Sequence, residues 1–136
     1  MRVIRSAETR RTETPNAVMT TLASPTQGES AQAVWRVEMQ PGHPGPLHGI
    51  DAEQVWTVLE GGASVEVGAE VATLGPGDTL VLPADIARRI TADVTAGLVA
   101  IVAAPASMRA FFVSGTAAEP QPAAADADKL VPAWVA

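Results

Sequence analysis

The sequence predicts an all-β sandwich or barrel built as one domain. Three observations lead there. Apolar residues recur with a period nearer two than 3.6, as in V-W-R-V-E-M at 34–39. Pro and Gly interrupt the apolar runs roughly every eight to twelve residues. No segment carries a convincing helical stripe. At 136 residues one core suffices, since a folded chain of this size buries roughly two-thirds of its unfolded surface.

Taken in order, residues 3–5 read as a short opening strand, followed by strands at 17–22 and 33–39. In the latter, alternation places Trp35 on one face with Val37 and Met39, and Arg36 with Glu38 on the other. Residues 40–50, QPGHPGPLHGI, are too rich in Pro and Gly for a central strand and read as a rim loop entering one. Strands follow at 54–59, 64–67, 70–73, 79–82, 87–91, 98–102 and 109–113. Gly61-Gly62 predicts a tight hairpin with positive φ. Pro76-Gly77 suits the centre of a type II turn. The adjacent Phe111 and Phe112 predict one ring in the core and one on an outer face, at a subunit contact.

From Thr116 the composition changes: TAAEPQPAAADADK reads as a linker. The VPAWVA that follows carries Trp134, which predicts docking back on the barrel or on a sister subunit. The expected organisation is therefore a barrel over 1–115, with its core at 33–103, and a tail over 116–136 ending in a Trp anchor.

Composition removes several function classes. Without cysteine there are no disulfides, thiolate metal sites or cysteine nucleophile. A formal charge of −6 argues against nucleic acid as partner. The basic cluster Arg2, Arg5, Arg10 and Arg11 is interleaved with Glu8 and Glu13 and reads as solvated surface. No run approaches the ~18 apolar residues of a membrane span. The opening MRVIRSAETRR lacks the apolar region of a secretory signal. A soluble, cytoplasmic protein without a membrane partner is expected.

Two stretches carry a resemblance. Gly42-x5-His48-x-Ile50-x3-Gln54-x6-Gly61 resembles the first motif of the cupin superfamily, which expects His at 48 and 50 and Glu at 54. Gly77-D-T-L-V-L-Pro83-A-Asp85-I-A-Arg88 resembles the second, which expects Gly at 85 and His at 88. The resemblance implies a single-domain cupin, a double-stranded β-helix or jelly-roll β-barrel. It also implies a homodimer through outer sheets, which an exposed Phe and the Trp134 tail would fit.

The ligand positions depart from that family's pattern. Cupins that hold Fe, Mn, Ni or Zn typically use three histidines and a carboxylate. This chain keeps His48, replaces the carboxylate by Gln54, and has Ile50 and Arg88 at the other two positions. Isoleucine has no lone pair, and a guanidinium is a permanent cation with donors only. A divalent metal would rest on His48, Gln54 and a swung-in His43; the residues read more simply as a metal-free pocket without a cofactor.

Residues two apart on a strand share a face, so Gln54, Trp56 and Val58 form one wall. The resemblance turns that wall and Arg88 into the barrel, and Arg89 outward. The expected cavity holds His48, Gln54, Trp56 and Arg88 among Ile50, Val58, Trp35 and Met39. A buried Arg88 requires a partner: Asp51, Glu53, Asp85, or a ligand carboxylate, phenolate or enolate. The expected ligand is thus a small organic molecule, anionic or enolisable, aromatic or polyketide-like.

Three functions stay open, and with them whether the chain is an enzyme. One is a cofactor-independent isomerase, cyclase or lyase in which His48 moves a proton and Arg88 stabilises the oxyanion. Another is a quercetinase-like metal-dependent dioxygenase with a reduced ligand set. The third is a non-catalytic ligand-binding or storage cupin.

Overall fold

The computed structural model describes all of residues 1–136 and is built from antiparallel strands. In chain order these are β1 (Arg10–Glu13), β2 (Val18–Ala23), β3 (Gln32–Met39), β4 (His48–Ile50), β5 (Gln54–Gly61), β6 (Ala63–Val67), β7 (Glu70–Leu74), β8 (Thr79–Leu82), β9 (Arg88–Ala92), β10 (Leu98–Pro105) and β11 (Ala110–Phe112). Six form one sheet in the order β1-β2-β3-β10-β5-β8, and five form the other as β11-β4-β9-β6-β7. The chain passes repeatedly between the two sheets, giving a jelly-roll barrel with its core between them. No helix is long and apolar enough to cross a membrane.

Alternation along the central strands produces the core. On β3, Ala33, Trp35, Val37 and Met39 are buried while the residues between them are not; on β10, Leu98, Ala100, Val102 and Ala104 behave alike. Register then aligns side chains across strands: Val102 pairs with Trp35 on one side and Trp56 on the other. Each buried aliphatic or aromatic side chain contributes about 1.5–3 kcal/mol relative to exposure.

Four expectations are corrected. Residues 3–5 form no strand; the first strand is β1, which pairs with β2 from Arg10 opposite Thr21 to Glu13 opposite Val18. Its polar R-R-T-E sequence lies at a sheet edge, where main-chain pairing outweighs a missing apolar pattern. The Pro- and Gly-rich stretch 40–50 contains β4, a central strand between β11 and β9. Its prolines precede the strand, and Gly49 lies where any Cβ would collide with the Phe111 ring.

The predicted hairpin at Gly61-Gly62 is a corner between sheets, because β5 pairs with β10 and β8 whereas β6 pairs with β7 and β9. Gly61 does adopt φ +70, and Gly62 donates to the Gly97 carbonyl at 2.9 Å. The tight hairpin instead joins β6 to β7 through Gly68 at φ +56, with Val67 opposite Glu70. The fourth correction concerns Arg88: of its expected partners, the protein carboxylates Asp51, Glu53 and Asp85 form no ion pair with it, and the uncharged groups described below bond it instead. The turn at Gly75–Asp78 matches its prediction: Gly77 has φ +86, and Asp78 donates to the Gly75 carbonyl at 3.1 Å.

The tail returns to the barrel. Leu130 bridges Ala110 on β11, and Val135 is fully buried. Arg109, Asp51, Asp126 and Lys129 form an ion-pair cluster near that bridge.

Candidate functional site

A cavity of about 360 Å³ opens between the sheets. Its lining comes from β2, β3 and β5 of the larger sheet, β4, β9 and β11 of the smaller, the loop at 14–17, and the tail. His48, Ile50, Gln54, Trp56, Trp35 and Met39 are all on this wall. No Asp, Glu, Lys or Arg is; His48 is the one side chain there of a type whose ordinary pKa lies near neutrality.

His48 accepts no proton easily. Burial lowers its pKa below the ordinary value; a hydrogen bond to the Pro46 carbonyl opposes this, and the nearby Arg88 charge lowers it further. That bond joins Nδ1 to the Pro46 oxygen at 2.8 Å. A carbonyl only accepts, so Nδ1 carries the proton and neutral His48 keeps its lone pair on Nε2.

Gln54 is buried at the start of β5 and already engaged. Its Oε1 accepts from Trp56 Nε1 at 3.2 Å and from Arg88 Nη1 at 3.5 Å, and its Nε2 donates to Met108 Sδ at 3.4 Å. Two donors meeting one atom fix the amide orientation.

Arg88 is completely buried, whereas Arg89 is only partly so. Its guanidinium lies behind the cavity wall rather than on it. Nη2 donates to the Pro83 carbonyl at 2.5 Å, Nε to the Ile86 carbonyl at 3.2 Å, and Nη1 to Gln54. None of Asp51, Glu53 and Asp85 forms an ion pair with it; Asp51 is taken by Arg109 and Lys129. Burial therefore lowers the Arg88 pKa to about 10, with Asp85 acting from a distance in the opposite sense. Val58 also lies off the cavity, packed in the core.

The donor set does not fit a divalent cation. His43 is turned away, its Nε2 2.6 Å from the Pro15 carbonyl. Ile50 has no lone pair, the Gln54 oxygen already takes two N–H groups, and Arg88 places a positive charge beside them. No three His, Cys, Asp or Glu side chains converge anywhere in the chain.

Sequence reasoning missed part of the wall: Met19, Ile90 and Met108, and from the tail Leu130, Pro132 and Trp134. Val37 had a signal, since it shares the inner face of β3 with Trp35 and Met39. The tail residues had none beyond the tryptophan itself.

This two-sheet barrel enclosing a mostly apolar cavity defines a class. The family model described as a cupin domain matches residues 35–103, just over half of the chain. The chain belongs to the cupin family. Among solved structures it is similar to KdgF from Halomonas sp., with 21% identity, a TM-score of 0.64, and coverage of 77% of this chain and 94% of that one. It is also similar to vicilin from hazelnut, Corylus avellana, with 17% identity and a TM-score of 0.68 over 80% of this chain and 36% of that one. A third is an oxalate decarboxylase variant from Bacillus subtilis, with 16% identity and a TM-score of 0.65 over 73% of this chain and 28% of that one. Oxalate decarboxylase holds Mn(II) centres. At these identities the likeness shows the fold. No curated protein matches the chain.

Proposed function

We propose that this cupin binds a small, uncharged, largely apolar molecule, aromatic or polyketide-like, in the barrel cavity without a resident metal. The observation that carries this reading is the lining: a cavity of about 360 Å³, within the usual range for small-molecule sites, with no formally charged wall residue. An anionic ligand would meet no cation there, because Arg88 lies behind the wall, bonded to Pro83, Ile86 and Gln54. The enolisable or phenolic ligand is favoured over the carboxylate.

His48 supplies the chemistry. Neutral and held through Nδ1, it offers Nε2 to a ligand hydroxyl. For a bound carbonyl compound the same nitrogen is the wall's one base, kept unprotonated but weakened by burial, so removing a proton beside the carbonyl and returning it would have to pass through it. Arg88 acts as a positioning residue: it orients Gln54, and its charge adds to burial in keeping His48 unprotonated. The dioxygenase alternative lacks support from the donor set.

Titration calorimetry with 2-naphthol tests the reading. Saturable one-to-one binding is expected, weakened about fivefold in His48→Leu by loss of one hydrogen bond, and abolished in Met19→Trp, which fills the wall. Absence of saturable binding to the unmodified chain would refute it.

A further inference from the structure

We infer that residues 130–136 form a movable strap whose docking closes the cavity, so that strap docking and ligand binding favour each other. The inference rests on the ligand-binding reading of the cavity above. The strap is part of the site itself: Leu130, Pro132, Ala133 and Trp134 all line the cavity. Its seat is built from main-chain and hydroxyl hydrogen bonds. Leu130 and Ala110 exchange N–H···O bonds of 2.9 and 2.7 Å. The Thr21 hydroxyl donates to the Trp134 carbonyl at 2.7 Å. Ser24, Thr26 and Arg10 Nη2 converge on the Ala136 carbonyl at 2.7, 2.8 and 2.6 Å.

Two unpartnered donors make this seat releasable. Arg10 Nε and Trp134 Nε1 are both buried with no hydrogen-bond partner, and both belong to the strap contact. Undocking returns those two donors to water, which offsets part of what the seat gains. On its N-terminal side the strap is bounded by the ion pairs of Asp126 and Lys129 with Arg109 and Asp51, so opening concerns the residues beyond Lys129.

A ligand in the cavity would contact the strap residues and lose them when the strap leaves. Linkage then requires occupancy to stabilise the docked form. At ten times its Kd, a ligand that needs the docked strap reduces the open population about elevenfold.

Lys129 is the sole lysine and immediately precedes the strap, so among the tryptic cuts, which include those after the eight arginines, the one after Lys129 reads the opening. The full chain is digested under native conditions with and without 2-naphthol. Mass spectrometry follows the peptide beginning at Leu130, and cleavage after Arg36 on β3 reports global unfolding. Release at Leu130 is expected to run well ahead of cleavage at Arg36 and to slow about elevenfold at ten times the Kd of 2-naphthol. Thr21→Val should accelerate release without ligand, and Trp134→Ala should lose the protection. Release that only keeps pace with Arg36, or is unchanged while calorimetry shows 2-naphthol bound, overturns the strap and leaves the pocket reading standing. No binding heat at all overturns both.

Discussion

Replacing Gln54 by glutamate tests the electrostatic arrangement most directly. In the native chain Arg88 is a buried cation whose nearest partners are two main-chain carbonyls and the Gln54 amide. The Gln54→Glu variant would place a carboxylate oxygen about where Gln54 Oε1 stands, 3.5 Å from Nη1. At that separation and an effective dielectric near 20, opposite charges attract by about 5 kcal/mol. Burying the new carboxylate costs several kcal/mol, while the guanidinium is buried in both proteins. The Trp56 N–H remains a donor to the new group, and only the weak contact to Met108 Sδ is lost.

A net gain of about 1–2 kcal/mol is expected, which for a chain of this length raises Tm by roughly 3–7 °C. The sign with pH follows. A stabilising ionised carboxylate at this position has a folded pKa below its unfolded value near 4.3, so the gain is present above about pH 4.3 and disappears as pH falls through the folded pKa. Differential scanning calorimetry at pH 7 and about pH 2.5, below the folded pKa, checks it. Unchanged or lowered stability at pH 7 would refute the view that Arg88 lacks a counter-charge.

Other outcomes follow from the same geometry. The pKa of His48 is lower in the folded chain than in the unfolded one, so its contribution is present above about pH 6.5 and shrinks as pH falls, because the unfolded chain binds the proton first; urea denaturation at pH 7.5 and 5.5 should show a smaller loss in His48→Gln than in the native chain, and equal losses would contradict it. Gly49→Ala drives a methyl into the Phe111 ring across β4 and β11 and should cost at least about 2 kcal/mol in urea denaturation. Gly68→Ala meets no neighbouring atom and suffers only from its positive φ, about 1 kcal/mol, so the two glycines should rank in that order. Zn(II) or Mn(II) titrated into protein purified without an affinity tag should show no submicromolar binding by calorimetry.

How much of this was legible in the sequence depends on what set each element. Strand β3 declared itself because one face is buried, and burial writes a period of two into the chain, whereas β5 and β10 were legible as short apolar runs closed by Gly or Pro. Strand β1 left no such trace: its alternation is among polar residues at an edge. Strand β4 was hidden because three residues, one of them Gly, are too short to show a pattern beside Pro44 and Pro46. The Gly61-Gly62 corner resembles a hairpin because both a hairpin and a change of sheet use a glycine at positive φ, and only the pairing partners distinguish them. In the site, the shared face of Gln54 and Trp56 followed from spacing. The partners of Arg88 did not, since main-chain carbonyls at 83 and 86 carry no residue signature. The tail's place in the wall required contacts over more than a hundred residues, as between Thr21 and Trp134.

The position of Arg88 decides what kind of recognition this cavity permits. A metal ion in a pocket keeps open coordination positions that draw anionic or carbonyl oxygens toward it. A guanidinium held behind the wall by Pro83, Ile86 and Gln54 presents none to the cavity, although its charge still reaches neighbouring groups. Its field therefore acts on the protein: together with burial, the larger effect, it lowers the basicity of His48, opposite Arg88 in the β4–β9 ladder. The wall is left apolar, with one neutral nitrogen base free to meet a ligand. On this reasoning selectivity comes from the shape of the cavity and from one hydrogen bond. Variants of Met39 or Trp56 should then change which molecules bind more than adding a charge to the ligand does.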